Sequence, residues 1–297
     1  MGNLSNKPMF NEAVFQAVSR VLAKETDGRA GQPQLIVGAP GSGKTFLIRR
    51  LIEAFATKPG LSLVWIDGRM VFSTSDILGE DADERIILFV DDFQYYLQRA
   101  TNADQFVLRG ILSRRNGPIL VATVPTLPPQ LTEYGAAFFE SFRIHYLKPL
   151  SDKDIQTVLE CLPVQYERAR ALMDYLPRTP QSAFLVRDIL KKSESADKDV
   201  NLLVEHFSPS CRKLFDGLLS QQQRILCAIA GETSGLKLSG IRDKTSQEAG
   251  TLSPYITQMV DKGLITRKAN SIRGGTYRIA DPLLDLWLSF GPQNVCL

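Results

Sequence analysis

The sequence predicts an α/β fold, a parallel sheet followed by a helical segment and then a small helical domain with a β-hairpin. Three observations lead there. Five short, nearly continuous apolar runs alternate with helical stretches over residues 1–150, the pattern of a parallel sheet covered on both faces. One of these runs leads straight into GAPGSGKT (38–45), and another ends in two aspartates. After Pro149 the strand pattern stops, and short strands return only near the C-terminus.

Taken in order, residues 10–24 read as a helix with Phe10, Val14, Phe15, Val18, Val21 and Leu22 on one face. The candidate strands are QLIV (34–37), LSLVWID (61–67), IILFV (86–90), PILVATV (118–124) and FRIHYL (142–147). SDKDIQTVLECL, QYERARALMDYL and TPQSAFLVRDIL then read as three helices, each opened by a capping residue or a turn. The polar stretch SESADKDVN (193–201) is the best linker candidate. The expected organisation is a core over 1–150, a helical lid over 151–195 and a C-terminal domain over 196–297.

Composition narrows the class. With 44% hydrophobic and 23% charged residues, the 297-residue chain is ordinary for a soluble globular protein of about two domains. No apolar run approaches the roughly 18 residues that cross a bilayer. The N-terminus shows neither a signal-peptide core nor a myristoylation pattern, so a cytoplasmic location is expected. Cys161, Cys211, Cys227 and Cys296 are far apart and form no CxxC pair. Reduced, buried thiols are expected in place of a disulfide framework or a zinc site. Net charge is only +3, but from Cys211 onward 11 Lys/Arg face 7 Asp/Glu. The C-terminal region is mildly basic.

GAPGSGKT fits G-x-x-x-x-G-K-[ST] in full, with a strand before it and the helical run TFLIRRLIEAF after it. Glycines let consecutive backbone N–H groups point at phosphate oxygens, and the helix adds its positive N-terminal end. The expected phosphate-binding residues are Gly38, Ala39, Pro40, Gly41, Ser42, Gly43, Lys44, Thr45 and Phe46. Lys44 would reach the β- and γ-phosphates, and the Thr45 hydroxyl would ligate Mg²⁺. Asp91 ends a buried strand beside this loop and is the expected second metal partner. Asp92 follows as the candidate that polarises an attacking water. Thr123 ends the next strand, where a hydroxyl can touch the γ-phosphate or that water, although β-branched residues favour strands in any case. Asp67, at the end of the second strand, receives no role.

The C-terminal region reads as a helix-turn-helix with a wing. SQQQRILCAIA is amphipathic, LKLSGIRDK is a short second helix, and SPYITQMVDKGLI has Ser253 as N-cap, Pro254 at the first helical position and Gly263 as stop. ITRK and TYRI flank NSIRGG as a two-stranded wing. Such a module often places its third helix in the major groove of duplex DNA. Residues available there are Ser253, Tyr255, Thr257, Gln258 and Lys262 on the helix, with Arg267, Lys268 and Arg273 on the wing. Winged helices also bind proteins, so DNA, a protein partner and a second copy of the chain all stay open.

With GAPGSGKT and IILFVDD as its two Walker motifs, the chain resembles the AAA+ and STAND group of P-loop ATPases, in particular the archaeal-type ATPase branch with a C-terminal winged helix. RIHYLKPLSDKD resembles the last core strand running into the lid, LPRTPQSAFLV the lid-helix motif, and YRIADPLLDLWLSF the ending common after winged helices in that branch. The resemblance implies a P-loop NTPase sheet, ATP in preference to GTP, and hydrolysis. It sets Asp92 where many such enzymes carry a glutamate, which implies slow or partner-stimulated turnover. It also makes Arg178 the candidate lid sensor. Residues 125–141, where ring-forming members carry an arginine finger, contain no arginine, leaving Arg114, Arg115 and Arg143 as substitutes. The favoured reading is a nucleotide-driven switch acting on DNA or a partner. A non-hydrolysing nucleotide-bound scaffold and a small-molecule P-loop kinase are the alternatives.

Overall fold

The structure, a computed structural model, describes residues 10–25, 31–78, 85–159, 166–269 and 275–290. It divides into two compact units, Met1–Thr157 with Thr179–Gln181, and Val158–Arg178 with Ser182–Leu297.

The first unit is built on a five-stranded sheet in the order β2-β3-β4-β1-β5. Its strands are β1 (Gln34–Val37), β2 (Leu61–Asp67), β3 (Arg85–Asp91), β4 (Ile119–Val124) and β5 (Arg143–Tyr146). Every pairing is parallel. All five strands fall on the apolar runs of the sequence, with ends within one residue. Alternation explains the layering, because successive side chains of a strand point to opposite faces. Leu35, Val37, Leu88, Val90, Leu120, Ala122 and Val124 face one core, completed by Phe93, Tyr96, Leu108 and Phe138. Ile36, Ile87, Phe89, Ile119 and Val121 face the other, completed by Val18 and Leu22 of α1 (Glu12–Glu25) and by Leu47, Ile48, Leu51 and Phe55 of α2 (Lys44–Phe55). Arg50 of α2 ties the two helices together, bonding Glu12 at 2.9 Å and lying over the Phe15 ring. On the first face α3 (Thr74–Leu78), α4 (Gln94–Arg99) and α5 (Asn102–Leu112) complete the layer.

The second unit takes in most of the helical region. From α6 (Asp152–Leu159) the chain passes to α7 (Tyr166–Met173), α8 (Pro180–Lys192) and α9 (Ala196–Asp216). Here the linker expectation fails. Residues 196–201 form the start of the 21-residue α9, capped by Ser195, whose side chain accepts from the Lys198 N–H. Polar composition is misleading because the stretch is a helix start, where Ser and Asp are favoured. Asp199 is buried in this first helical turn and accepts two 2.6 Å bonds from the guanidinium of Arg168 on α7. The same guanidinium donates to the Ser193 carbonyl at 3.1 Å.

Beyond α9 come α10 (Ser220–Ile229), β6 (Leu236–Lys237), α11 (Leu238–Thr245), α12 (Ala249–Asp261), β7 (Ile265–Ala269), β8 (Gly275–Ile279) and α13 (Pro282–Phe290). The sheet has three antiparallel strands in the order β6-β8-β7, one more than the sequence suggests. The extra strand is only two residues long and merges into α11, so no period-2 signal could reveal it. Helix α12 starts four residues before the expected Ser253 cap. Its buried stripe, Leu252, Ile256 and Met259, begins ahead of Pro254, and packing overrides the local start signal. It ends as expected at Gly263. Helix α13 returns to α9, where the Trp287 indole N–H donates to Ser208 at 3.0 Å and the ring meets Phe215 edge-on.

Two further points concern the cysteines and the membrane. Cys211 is a free, buried thiol whose pKa burial pushes up to about 11. Cys227 is disulfide-bonded, which corrects the expectation of reduced thiols throughout. Cys161 and Cys296 lie outside the described residues. Among the described residues, no helix is long and apolar enough to cross a membrane.

Removing Arg168 would leave Asp199 buried without its counter-charge. Arg168→Ala is expected to lower unfolding free energy by about 3 kcal/mol, read from the urea midpoint, with Arg168→Ala/Asp199→Leu recovering much of the loss.

Candidate nucleotide-binding site

The site forms at the C-terminal edge of the parallel sheet, where ligands gather in such folds. The Gly38 N–H donates to the Val124 carbonyl at 3.1 Å, so the loop after β1 leaves from the end of its neighbour β4. Gly41 and Gly43 have φ of 75° and 94°, the left-handed region that lets the loop turn before α2 begins at Lys44. Lys44 is buried, and its ammonium donates to the carbonyls of Gly38 at 2.7 Å and Ala39 at 3.2 Å. Burial pushes its pKa down, opposed by the nearby carboxylates of Asp92 and Asp91.

Asp91 ends β3 and is itself buried. Its Oδ2 accepts the Thr45 hydroxyl at 2.5 Å and its Oδ1 accepts the Thr123 hydroxyl at 2.5 Å. The first residues of α2, the end of β3 and the end of β4 are thereby joined through one carboxylate. Thr45 and Asp91 offer oxygen donors only, which suits a hard divalent cation. Asp92 takes a left-handed φ of 56°, tolerated best by Asn and Asp among residues with a side chain beyond glycine. Its N–H donates to Thr123 Oγ1 at 3.0 Å, and Gln94 donates to its Oδ1 at 3.3 Å.

Thr123 is fully buried, and its hydroxyl both donates to Asp91 and accepts from the Asp92 N–H. The structure thus joins it to both acids.

The loop fits a phosphate group on an independent observation. Ser42 Oγ is buried and has no hydrogen-bond partner among the described residues. A hydroxyl so placed needs an acceptor, which a phosphate oxygen supplies. The start of α8 also lies on the loop. The Gln181 N–H donates to the Gly41 carbonyl at 3.3 Å, and a Cβ on Gly41 would fall 2.5 Å from Gln181 Oε1 and 3.2 Å from Thr179 Oγ1. The sequence points to Arg178 and gives no sign of these two neighbours. Arg178 is exposed and belongs to the second unit.

Gly68 is a further site residue that sequence reading misses. A Cβ there would meet the Asp92 carbonyl oxygen at 2.4 Å and that of Asp91 at 2.7 Å, so the turn after β2 packs directly on the backbone of the acidic pair. The Asp67–Gly68 pair closing a strand is the available signal. Asp67 caps this turn, accepting from the Arg69 N–H at 3.0 Å and pairing with its guanidinium at 2.6 Å. Arg114 and Arg115 follow α5, and Arg143 opens β5, all at the entry edge of the sheet. Arg85, the first residue of β3, bonds the Arg115 carbonyl at 3.1 Å. Asp91 is six residues further along that strand, about 20 Å at the rise of a β-strand. These three arginines are out of reach of their own loop.

In the second unit, the helix residues expected to meet a partner divide. The hydroxyls of Ser253 and Thr257 donate to the helix carbonyls of Ala249 and Ser253 at 2.8 and 3.0 Å. Gln258 Oε1 accepts from the buried Gln222 at 2.8 Å, and Tyr255 is half-buried. Lys262 is exposed beside Asp261. On the strands, Arg267 pairs with Tyr277, and Lys268 with Thr276, placing the two on opposite faces. Arg273 lies outside the described residues.

Residues 5–107, about a third of the chain, match the family model described as Novel STAND NTPase 5. Among curated proteins none matches. The Aeropyrum pernix Orc1 protein in complex with DNA aligns at a TM-score of 0.54 with 13% identity, over 94% of this chain and 92% of that one. Drosophila ORC bound to DNA aligns at 0.52 with 14% identity, over 94% and 87%. An arginine-to-alanine variant of Thermotoga maritima RuvB aligns at 0.50 with 17% identity, over 97% of each chain. At such identities the likeness is one of fold.

Three substitutions test the geometry. Gly68→Ala forces a Cβ into fixed carbonyls and is expected to cost about 3 kcal/mol of stability, whereas Gly110→Ala, in the open on α5, should gain about 0.5–1 kcal/mol. Thr123→Val keeps the side-chain shape but withdraws a bond from a buried carboxylate, and should cost about 1.5–3 kcal/mol in a denaturant titration.

Proposed function

We propose that this chain, whose core is of the STAND/AAA+ P-loop NTPase type, is an ATP-hydrolysing molecular switch. Its nucleotide state governs how a C-terminal winged helix engages DNA or a protein partner. In this reading residues 1–150 are the ATPase core, 151–195 the lid and 196–297 the winged-helix domain.

The observation that carries it is the start of α8 on the P-loop. Thr179–Gln181 lies against Gly41, and the helix then runs on into the second unit. A change in what the loop holds therefore acts directly on a helix continuous with the rest of the chain, which is how γ-phosphate contacts are commonly read out.

The residues take these roles. The loop over residues 38–46 wraps the phosphates, with the backbone N–H groups of Gly41, Gly43, Lys44, Thr45 and Phe46 and the Ser42 hydroxyl binding phosphate oxygens, and Lys44 neutralises the β/γ charge. Thr45 and Asp91 hold Mg²⁺, which when bound neutralises developing charge on the phosphates. Asp92 orients the attacking water, and Thr123 keeps both acids in place. An aspartate reaches less far than a glutamate by one methylene, which supports slow or partner-stimulated turnover. The helix-turn-helix order of α10–α12 with its three-stranded sheet supports the winged-helix assignment, and the likeness to proteins solved with DNA supports DNA as the partner.

Phosphate release by the purified chain, with and without duplex DNA, tests the reading. Unaltered protein should release phosphate, faster with DNA. Asp92→Asn should slow release about 10²–10⁴-fold, the range for losing a general base, and Lys44→Ala should abolish nucleotide binding. Phosphate transferred to a metabolite would establish a kinase. Nucleotide retained without turnover in every condition would establish a scaffold.

A further inference from the structure

We infer that the outward face of the β6-β8-β7 sheet, carrying Lys237, Lys268 and Arg278, is the surface that grips the phosphate backbone of duplex nucleic acid. This rests on the proposed nucleic-acid role of the C-terminal module and names the face that performs it. Cross-strand partners in an antiparallel sheet project to the same side. Lys237 pairs with Thr276, Thr276 with Lys268, and Arg278 with Thr266. The outward side chains are therefore Lys237, Thr266, Lys268, Thr276 and Arg278, while Ile265, Tyr277 and Ile279 of the opposite face are buried. Three of these five are cations, two are threonines and none is acidic. Lys237 and Lys268 lie two strand spacings apart, about 10 Å.

The three cations are exposed, and none has an ion-pair partner among the described residues. Nearby, Arg242 and Lys244 are instead paired with Asp243 and Glu232. Unpaired cations interleaved with hydroxyls are the side chains that bind phosphate oxygens without reading sequence. Helix α12 offers less. The Ser253 and Thr257 hydroxyls are spent on its own carbonyls, Gln258 is held by Gln222, and Lys262 stands next to Asp261. The charge that draws an anionic duplex is on the sheet.

Fluorescence anisotropy of a short labelled duplex, with the full chain and ATP, titrated between about 50 and 200 mM salt, tests the inference. Lys237→Gln/Lys268→Gln/Arg278→Gln should weaken binding at least about 30-fold and reduce the log–log salt slope by about 2–3, near 0.9 for each phosphate that is no longer neutralised. Gln258→Ala/Lys262→Ala should change affinity by less than about threefold, and the sheet variant should melt with the unaltered protein. The reverse ranking would overturn the inference and assign binding to α12. If the unaltered chain binds no duplex at all, the nucleic-acid role fails with it, while nucleotide-dependent phosphate release would show the core reading intact.

Discussion

Asp91 is a buried carboxylate at the meeting point of three chain segments, and the edge of the sheet is arranged around it. A carboxylate removed from water must be satisfied by donors. Here they are two threonine hydroxyls, Thr45 from the start of α2 and Thr123 from the end of β4. Each hydroxyl fixes its segment, so the P-loop, β3 and β4 are held in register by one side chain. Asp92 follows from the same arrangement, since its N–H is anchored on Thr123 and its backbone takes the left-handed turn that leads into α4. Gly68 closes the back of this corner because nothing larger fits against the two carbonyls.

Beneath these polar contacts the corner rests on apolar packing. The strands reaching it are buried on both faces, and Phe93, the residue after Asp92, packs edge-on against Phe138 and tilted against Phe142. The opposite face rests on α2, whose buried stripe begins with Lys44 itself. The helix that carries Lys44 is thus part of the core, which anchors the origin of the loop.

The second unit is organised by α9. Near its start Asp199 receives the Arg168 guanidinium from α7, and near its end Phe215 and Ser208 receive Trp287 from α13. One helix of about 31 Å therefore joins α7 to α13 through a buried ion pair and an indole.

Much of this is legible from residues alone. All five strands are read within a residue; for the central β1, β3 and β4 the reason is that two-sided burial leaves uninterrupted apolar runs, and GAPGSGKT and the Asp91–Asp92 pair are read because phosphate and metal chemistry demands those types in order. What sequence cannot show depends on residues distant in the chain. Thr123 looks like a free hydroxyl until its partners, some thirty residues earlier, are in place. Gly68 and Gln181 have no local signature strong enough to single them out, since their importance comes from a close approach to Asp92 and Gly41. Residues 193–201 look like a linker because a helix start and a loop share the same polar residues, and only the burial of Asp199 against Arg168 distinguishes them. The sequence by itself determined the sheet and the phosphate loop, whose signals are local. Tertiary structure alone decided which hydroxyl holds which acid and which cations share a face, because those follow from strand pairing and packing.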